Sequence, residues 1–154
     1  MKVFNFNAGP AMLPTSVMER AQKEFCDYHG TGCGILEHSH RGKDFQAVLD
    51  HTNQNIRDVF GVSDAYDIVY IQGGASMQFA MIPMNLMTTG AADFVGSGTW
   101  SSKAMKEARL FGEVRVAAQS KDTKYDHIPA FDTWKLSEDA SYVHITSNNT
   151  IYGT

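Results

Sequence analysis

Asp67 to Pro83, DIVYIQGGASMQFAMIP, constrains the fold more than any other stretch of this sequence. Asp67 to Ile71 is rich in Val, Ile and Tyr, the composition of a buried strand. Gly73 and Gly74 follow at once, and paired glycines permit the positive φ angles that other residues resist. Ala75 and Ser76 then open an apolar helix that carries Met77, Phe79, Met81, Met84 and Leu86. A strand, a small-residue turn and a helix N-terminus in this order describe one unit of an α/β fold.

The same turn has the chemistry of an anion site. Free N–H groups point out of a helix's first turn, and the helix dipole favours negative charge there. Ser76 adds a hydroxyl. A nucleotide P-loop is excluded, because no lysine follows these glycines, and GGASMQ is not a GxGxxG dinucleotide fingerprint. One small phosphomonoester fits better, and pyridoxal phosphate carries such a group. An ordinary tight strand-to-helix turn is the competing reading of the turn taken alone.

Length and composition set outer bounds. A chain of 154 residues, 43% hydrophobic and 19% charged, has enough material for a real core. A net charge of −4 argues against non-specific nucleic-acid binding. No run reaches the roughly 18–20 apolar residues of a membrane span, and the opening MKVFNFNAGPAML does not read as a signal peptide. Cys26 and Cys33 show no metal spacing and no disulfide framework, so free thiols in the cytoplasm are expected.

In chain order, residues 1–13 read as an extended arm and residues 14–154 as one domain. A helix is expected from Pro14 to about Tyr28, with Val17, Ala21, Phe25 and Tyr28 on one face. A glycine-rich loop follows and ends in Glu37-His38-Ser39-His40-Arg41-Gly42. Arg41 can hold a carboxylate or phosphate with a bidentate fork, and His40 adds a donor. His38 and His40 alternate, but a metal needs a third ligand that the sequence does not supply nearby. Lys43 to Phe60 has one apolar stripe through Phe45, Val48, Leu49, Thr52, Ile56, Val59 and Phe60, and Gly61 stands where a C-cap glycine belongs. Met77, Met81, Met84 and Met87 read as core packing, and Pro83 as a kink. Strands are expected at Ala91–Ser97, Glu113–Ala118 and Ser141–Ser147, with a helix at Lys103–Phe111. Strands alternating with helices predict a mostly parallel sheet flanked by helices. Ala75 with Ser76, Trp100, and Thr150 all fall just past strand ends, where open α/β sheets bind ligands. Trp100 can stack on a planar ring there.

FNFNAGPAMLP, SHRGKDF, QGGASMQF, GTWSSKAMKEA and the NNT after the last strand, in this order and spacing, resemble phosphoserine aminotransferase. The resemblance runs from Phe4 to Thr154. It implies the large domain of a fold-type I, pyridoxal-phosphate-dependent transferase that works as a cytoplasmic homodimer without nucleic-acid or membrane partners. The family moves an amino group between L-glutamate and 3-phosphohydroxypyruvate in serine biosynthesis. Carried over by position, Ala75 and Ser76 hold the cofactor phosphate, Trp100 stacks on its pyridine ring, and Thr150 contacts it through a hydroxyl. Arg41 grips the substrate carboxylate with His40 beside it. One branch of the family has arginine where this sequence has Ser76, so the substrate phosphate is expected to use other groups here.

The resemblance also implies a catalytic lysine that bonds the cofactor carbonyl. None of Lys2, Lys23, Lys43, Lys103, Lys106, Lys121, Lys124 and Lys135 stands where the family's motif puts it. The expectation is therefore an incomplete domain, with no catalytic residue in this chain and part of its sheet missing. A related fold-type I enzyme acting on another amino acid, and a non-catalytic phosphate-binding piece, are the alternatives. The 154 residues alone are expected to show no glutamate-dependent transamination; full turnover by this chain in a coupled assay would contradict that.

Overall fold

The computed structural model describes residues 3–154. Met1 and Lys2, the first two residues of the expected arm, lie outside the described residues. The chain gathers into two compact units, one reaching to Tyr70 and one from Ile71 to Thr154.

The second unit is built around β1 (Ala91–Gly96), all six residues of which are buried. A strand with both faces covered reads as a continuous apolar run, and AADFVG fits apart from its aspartate. Its main-chain groups must then be paired on both sides. β2 (Glu113–Gln119) and β3 (Val143–His144) flank β1 in the order β2-β1-β3, both parallel to it, β2 along all six residues and β3 at Asp93 and Phe94. Ala92 lies opposite Val114 and Phe94 opposite Val116, and a register shift follows between Phe94 and Val95. The helix α4 (Thr99–Ala108) connects β1 to β2. Its Ala104, Met105 and Ala108 close a core with Ala92 and Phe94, and Phe79, Met87, Val114 and Tyr142 pack around it. Small residues at 104 and 108, one helical turn apart, let α4 lie close to the sheet.

Asp93 is the polar exception in β1 and is fully buried. Its carboxylate accepts from the Ser137 N–H at 2.6 Å and the Ser137 hydroxyl at 3.0 Å. A buried carboxylate without such donors would cost several kcal/mol, so this pair is what makes Asp93 tolerable. Arg115, by contrast, forks onto Asp139 at 2.5 and 3.2 Å and reaches Glu113 at 2.9 Å at the surface. Exposed pairs of that kind contribute little, because solvent screens them and holding the side chains costs entropy.

The first unit holds α1 (Thr15–Glu24) and α2 (Lys43–Phe60). Residues 3–14 form neither helix nor strand. α2 ends at Gly61 with φ 64°, and the Gly61 N–H bonds the Arg57 carbonyl, a left-handed C-cap. Arg57 also ties the next turn, donating to the Ser63 and Tyr66 carbonyls at 2.8 and 3.0 Å.

Several expected boundaries are corrected. Residues 67–72 form no strand, because nothing among the described residues pairs with them, and Val69 and Tyr70 are largely exposed. α1 stops at Glu24, since Tyr28 N–H turns to the Cys33 carbonyl at 2.8 Å. α4 starts four residues before Lys103, so Trp100 belongs to its first turn. β3 is two residues long, matching Asp93 and Phe94 alone. α3 (Gly74–Leu86) runs through Pro83, but Met77 and Met84 are exposed while Phe79 and Met87 pack on the core. The apolar stripes of α1 and α2 contain no buried residue.

Asp93→Ala leaves the two half-buried Ser137 donors without their acceptor. It is expected to destabilise the chain by about 2 kcal/mol, read by urea denaturation, while Asp139→Ala leaves stability nearly unchanged.

Candidate functional site

The strand ends of the second unit converge on one cavity of about 430 Å³. Gly73, Gly74, Ala75 and Ser76 form one wall, Trp100 another, and His144 to Asn148 with Thr150 a third. Ala75, Ser76, Trp100 and Thr150 thus share one space.

The α3 wall is set by its glycines. Gly73 has φ 95° and Gly74 φ 60°, a left-handed pair that turns the chain sharply into the helix. A Cβ on Gly73 would overlap the Met77 side chain. Met77 N–H makes the first helical bond, to the Gly73 carbonyl at 3.3 Å. The N–H groups of Gly74, Ala75 and Ser76 precede it and have no partner among the described residues. Three donors at a helix N-terminus, with the Ser76 hydroxyl beside them, suit a phosphate.

The Trp100 wall is fixed from below. Ser101 is fully buried, and its hydroxyl accepts from the N–H groups of Ser97 and Gly98 at 2.9 and 3.0 Å. It returns a bond to the Gly98 carbonyl at 2.8 Å. This knot sets the direction of the first turn of α4. The Trp100 indole N–H donates to the Thr150 hydroxyl at 3.0 Å. The Lys103 ammonium lies 4.5 Å from the centre of the same ring, a cation–π contact. The ring is therefore held at its edge by one residue and over its face by another.

The third wall depends on Asn149, which is buried and donates its amide to the Ser97 carbonyl at 2.6 Å. Gly98, at φ 150°, makes room for it: any Cβ there would collide with the Asn149 side chain. His144 stacks on Phe94 at 4.9 Å and meets the edge of Phe79 at 6.3 Å. Burial holds the His144 imidazole below its ordinary range. His144 Nε2, Thr146 Oγ1 and Asn149 Oδ1 are buried without partners among the described residues. Orphaned polar atoms around a cavity fit a polar guest rather than an apolar one.

His40 and Arg41 lie in the first unit, in the turn before α2, and both are exposed. The Ser39 hydroxyl and carbonyl accept from the Arg41 and Gly42 N–H groups at 3.2 and 2.8 Å. The Arg41 guanidinium makes no bond among the described residues. No group of three or more metal-ligating side chains is found among the described residues.

His144, Asn149 and Ser101 were not singled out by sequence. Polar residues in and beyond a strand, HITSNN, were the available signal. Burial of Asn149 and the reach of Ser101 back to Ser97 are tertiary facts that no local pattern carries.

The aminotransferase class-V family profile matches residues 3–154. The chain belongs to that family. Within it, the chain is similar to phosphoserine aminotransferases. It is 47% identical to that of Nitrosomonas europaea over 153 residues, 99% of this chain and 42% of the relative. The solved phosphoserine aminotransferase from Bacillus circulans subsp. alkalophilus superposes with a TM-score of 0.90 at 47% identity, over 96% of this chain and 41% of that one. That of Trichomonas vaginalis, solved with PLP bound, gives 0.88 at 35% identity, over 98% and 43%. The chain thus spans less than half the length of the relatives it matches. The parallel sheet with flanking helices is that of these fold-type I structures in part.

Two outcomes follow. Gly98→Ala is expected to cost about 2 kcal/mol or more and to displace Asn149, read as a lowered melting temperature. Burial keeps the folded His144 pKa below its ordinary 6.5, so the unfolded chain takes up that proton first. The stability this neutral ring contributes is present above pH 6.5 and is lost as pH falls towards the folded pKa. His144→Phe should remove that part of the acid-side fall in melting temperature, measured by thermal scans on either side of pH 6.5.

Proposed function

We propose that this chain supplies the N-terminal part of a phosphoserine aminotransferase and that its cavity holds pyridoxal 5′-phosphate. The observation that carries the reading is the convergence of unpartnered helix N-terminal donors, Ser76, the anchored Trp100 ring and Thr150 on one cavity. Backbone N–H groups of Gly74, Ala75 and Ser76 hold the phosphate, and Trp100 covers the ring. Thr150 orients the indole and offers its hydroxyl to the cavity.

When bound, this cofactor supplies an electrophilic carbonyl and an electron sink for amino-group transfer. The cavity's lining residues bind and orient; they contain neither lysine nor carboxylate among the described residues. The amine that moves protons at the reacting carbon therefore comes from elsewhere in the complete enzyme. L-Glutamate and 3-phosphohydroxypyruvate are the proposed substrates, with Arg41 gripping a substrate carboxylate and His40 adding a donor. The free Arg41 guanidinium supports that assignment. The complete enzyme is proposed to be a cytoplasmic homodimer. No helix among the described residues is long and apolar enough to cross a membrane.

Titration with pyridoxal 5′-phosphate is expected to quench tryptophan emission, and Trp100→Phe to remove most of that quench while Trp134 remains. Ser76→Ala should weaken binding about five- to tenfold, equivalent to about 1–1.4 kcal/mol. Pyridoxal without its phosphate should bind at least about tenfold more weakly; equal affinity for the two would overturn the phosphate assignment. Transamination of 3-phosphohydroxypyruvate by a chain of the relatives' length that carries these residues, and its loss in Arg41→Ala, would test the substrate reading.

A further inference from the structure

The glycine-rich loop of the first unit folds around a thiol. Gly30 and Gly32 take φ of 79° and 81°, and the chain doubles back so that Tyr28 N–H meets the Cys33 carbonyl at 2.8 Å. Asp27 accepts from the Gly32 N–H and Glu37 from the Gly34 N–H, each at 2.8 Å. Gly34 is buried so tightly that a Cβ would collide with the Phe25 carbonyl. The loop is thus held by its own bonds.

Inside it, Cys33 Sγ stands 3.2 Å from His38 Nε2. The other ring nitrogen, Nδ1, faces the Asp44 carboxylate at 3.4 Å. The His38 side chain is 12% exposed, and the Tyr28 ring meets it edge-on, centroids 6.1 Å apart. Asp44 favours the tautomer with the proton on Nδ1, which leaves the Nε2 lone pair for the thiol. Thr31 Oγ1 also lies 3.2 Å from Nε2, but it stands 2.8 Å from the Tyr28 carbonyl, to which it donates. Nucleophile, base and orienting carboxylate therefore stand in sequence, the arrangement that activates a thiol.

We infer that Cys33, with His38 as base and Asp44 as positioning residue, is a modification site that reacts with hydroperoxides. His38 takes the thiol proton as sulfur attacks the terminal peroxide oxygen. The S–O bond forms, the O–O bond breaks, and the departing oxygen leaves as water or an alcohol with the proton from His38. Sulfur loses two electrons and the peroxide gains them, giving a sulfenic acid. Cys26, in the same loop region, is exposed and makes no side-chain bond among the described residues. Exposure alone would make it the faster thiol; the His38 contact reverses that order. The inference is independent of the cofactor assignment.

The test treats the chain with hydrogen peroxide and dimedone and follows each cysteine by mass spectrometry. Cys33 is expected to be trapped at least about tenfold faster than Cys26. His38→Gln should bring it to the Cys26 rate, and added imidazole should restore part of the rate in His38→Ala. Asp44→Asn should shift the pH profile of Cys33 labelling and leave that of Cys26 fixed, with Asp27 and Glu37 unchanged as the neighbouring carboxylates. Equal or faster labelling of Cys26, or a Cys33 rate untouched by His38→Gln and Asp44→Asn, would overturn it. The wild-type comparison decides the matter even where a His38 variant fails to fold.

Discussion

A strand can be buried on both faces only if every main-chain donor and acceptor it carries is paired within the protein. β1 draws its pairing from parallel neighbours, β2 along its whole length and β3 at Asp93 and Phe94, and the rest of its unit follows from it. Parallel pairing with β2 demands a crossover long enough to hold a helix, and α4 is that crossover. Pairing with β3 brings the chain after His144 alongside the loop that leaves β1. The ends of the strands then face the same way, and the cavity lies beyond them.

Two kinds of polar burial hold this arrangement, and they differ in consequence. Asp93 is a charged group kept in the interior by two donors of one residue, Ser137. Asn149 is neutral and ties one strand-end loop to another through the Ser97 carbonyl. The first stabilises the sheet's interior; the second shapes the place where a ligand is received. Trp100 is caught between such ties, with Thr150 at its edge and Lys103 over its face. A ring so restrained loses little freedom on binding, which favours its use as a stacking surface.

Much of this was legible in the residues. The glycine pair at 73 and 74 announced the sharp turn, and Gly61 announced the end of α2. The run AADFVG announced a strand. Other parts were not legible, for physical reasons. A strand at Asp67–Ile71 has the right composition, but composition does not supply a neighbour, and an unpaired strand is coil. The alternation of SYVHITS promised seven strand residues, while pairing with β1 supports two. The start of α4 lies ahead of its expected position because its cap is made by Ser101 from inside the helix, reaching backward. The apolar stripe of α2 is periodic as its sequence indicates, yet none of it is buried among the described residues. Periodicity records which side of a helix is apolar, not what covers it. The thiol constellation is not legible in the sequence because Cys33, His38 and Asp44 are spaced irregularly, and a loop brings them together.

The fit between Gly98 and Asn149 has a historical consequence. Gly98 has no Cβ, and the Asn149 amide occupies the room that one would need. Neither residue can change its size without the other. Over descent the two positions should behave as a single inherited character, although fifty residues of chain lie between them. The walls of the cavity on either side of that contact can vary one at a time, as a ligand permits. The contact itself can drift only as a pair, and so it marks the part of the cavity slowest to be remodelled.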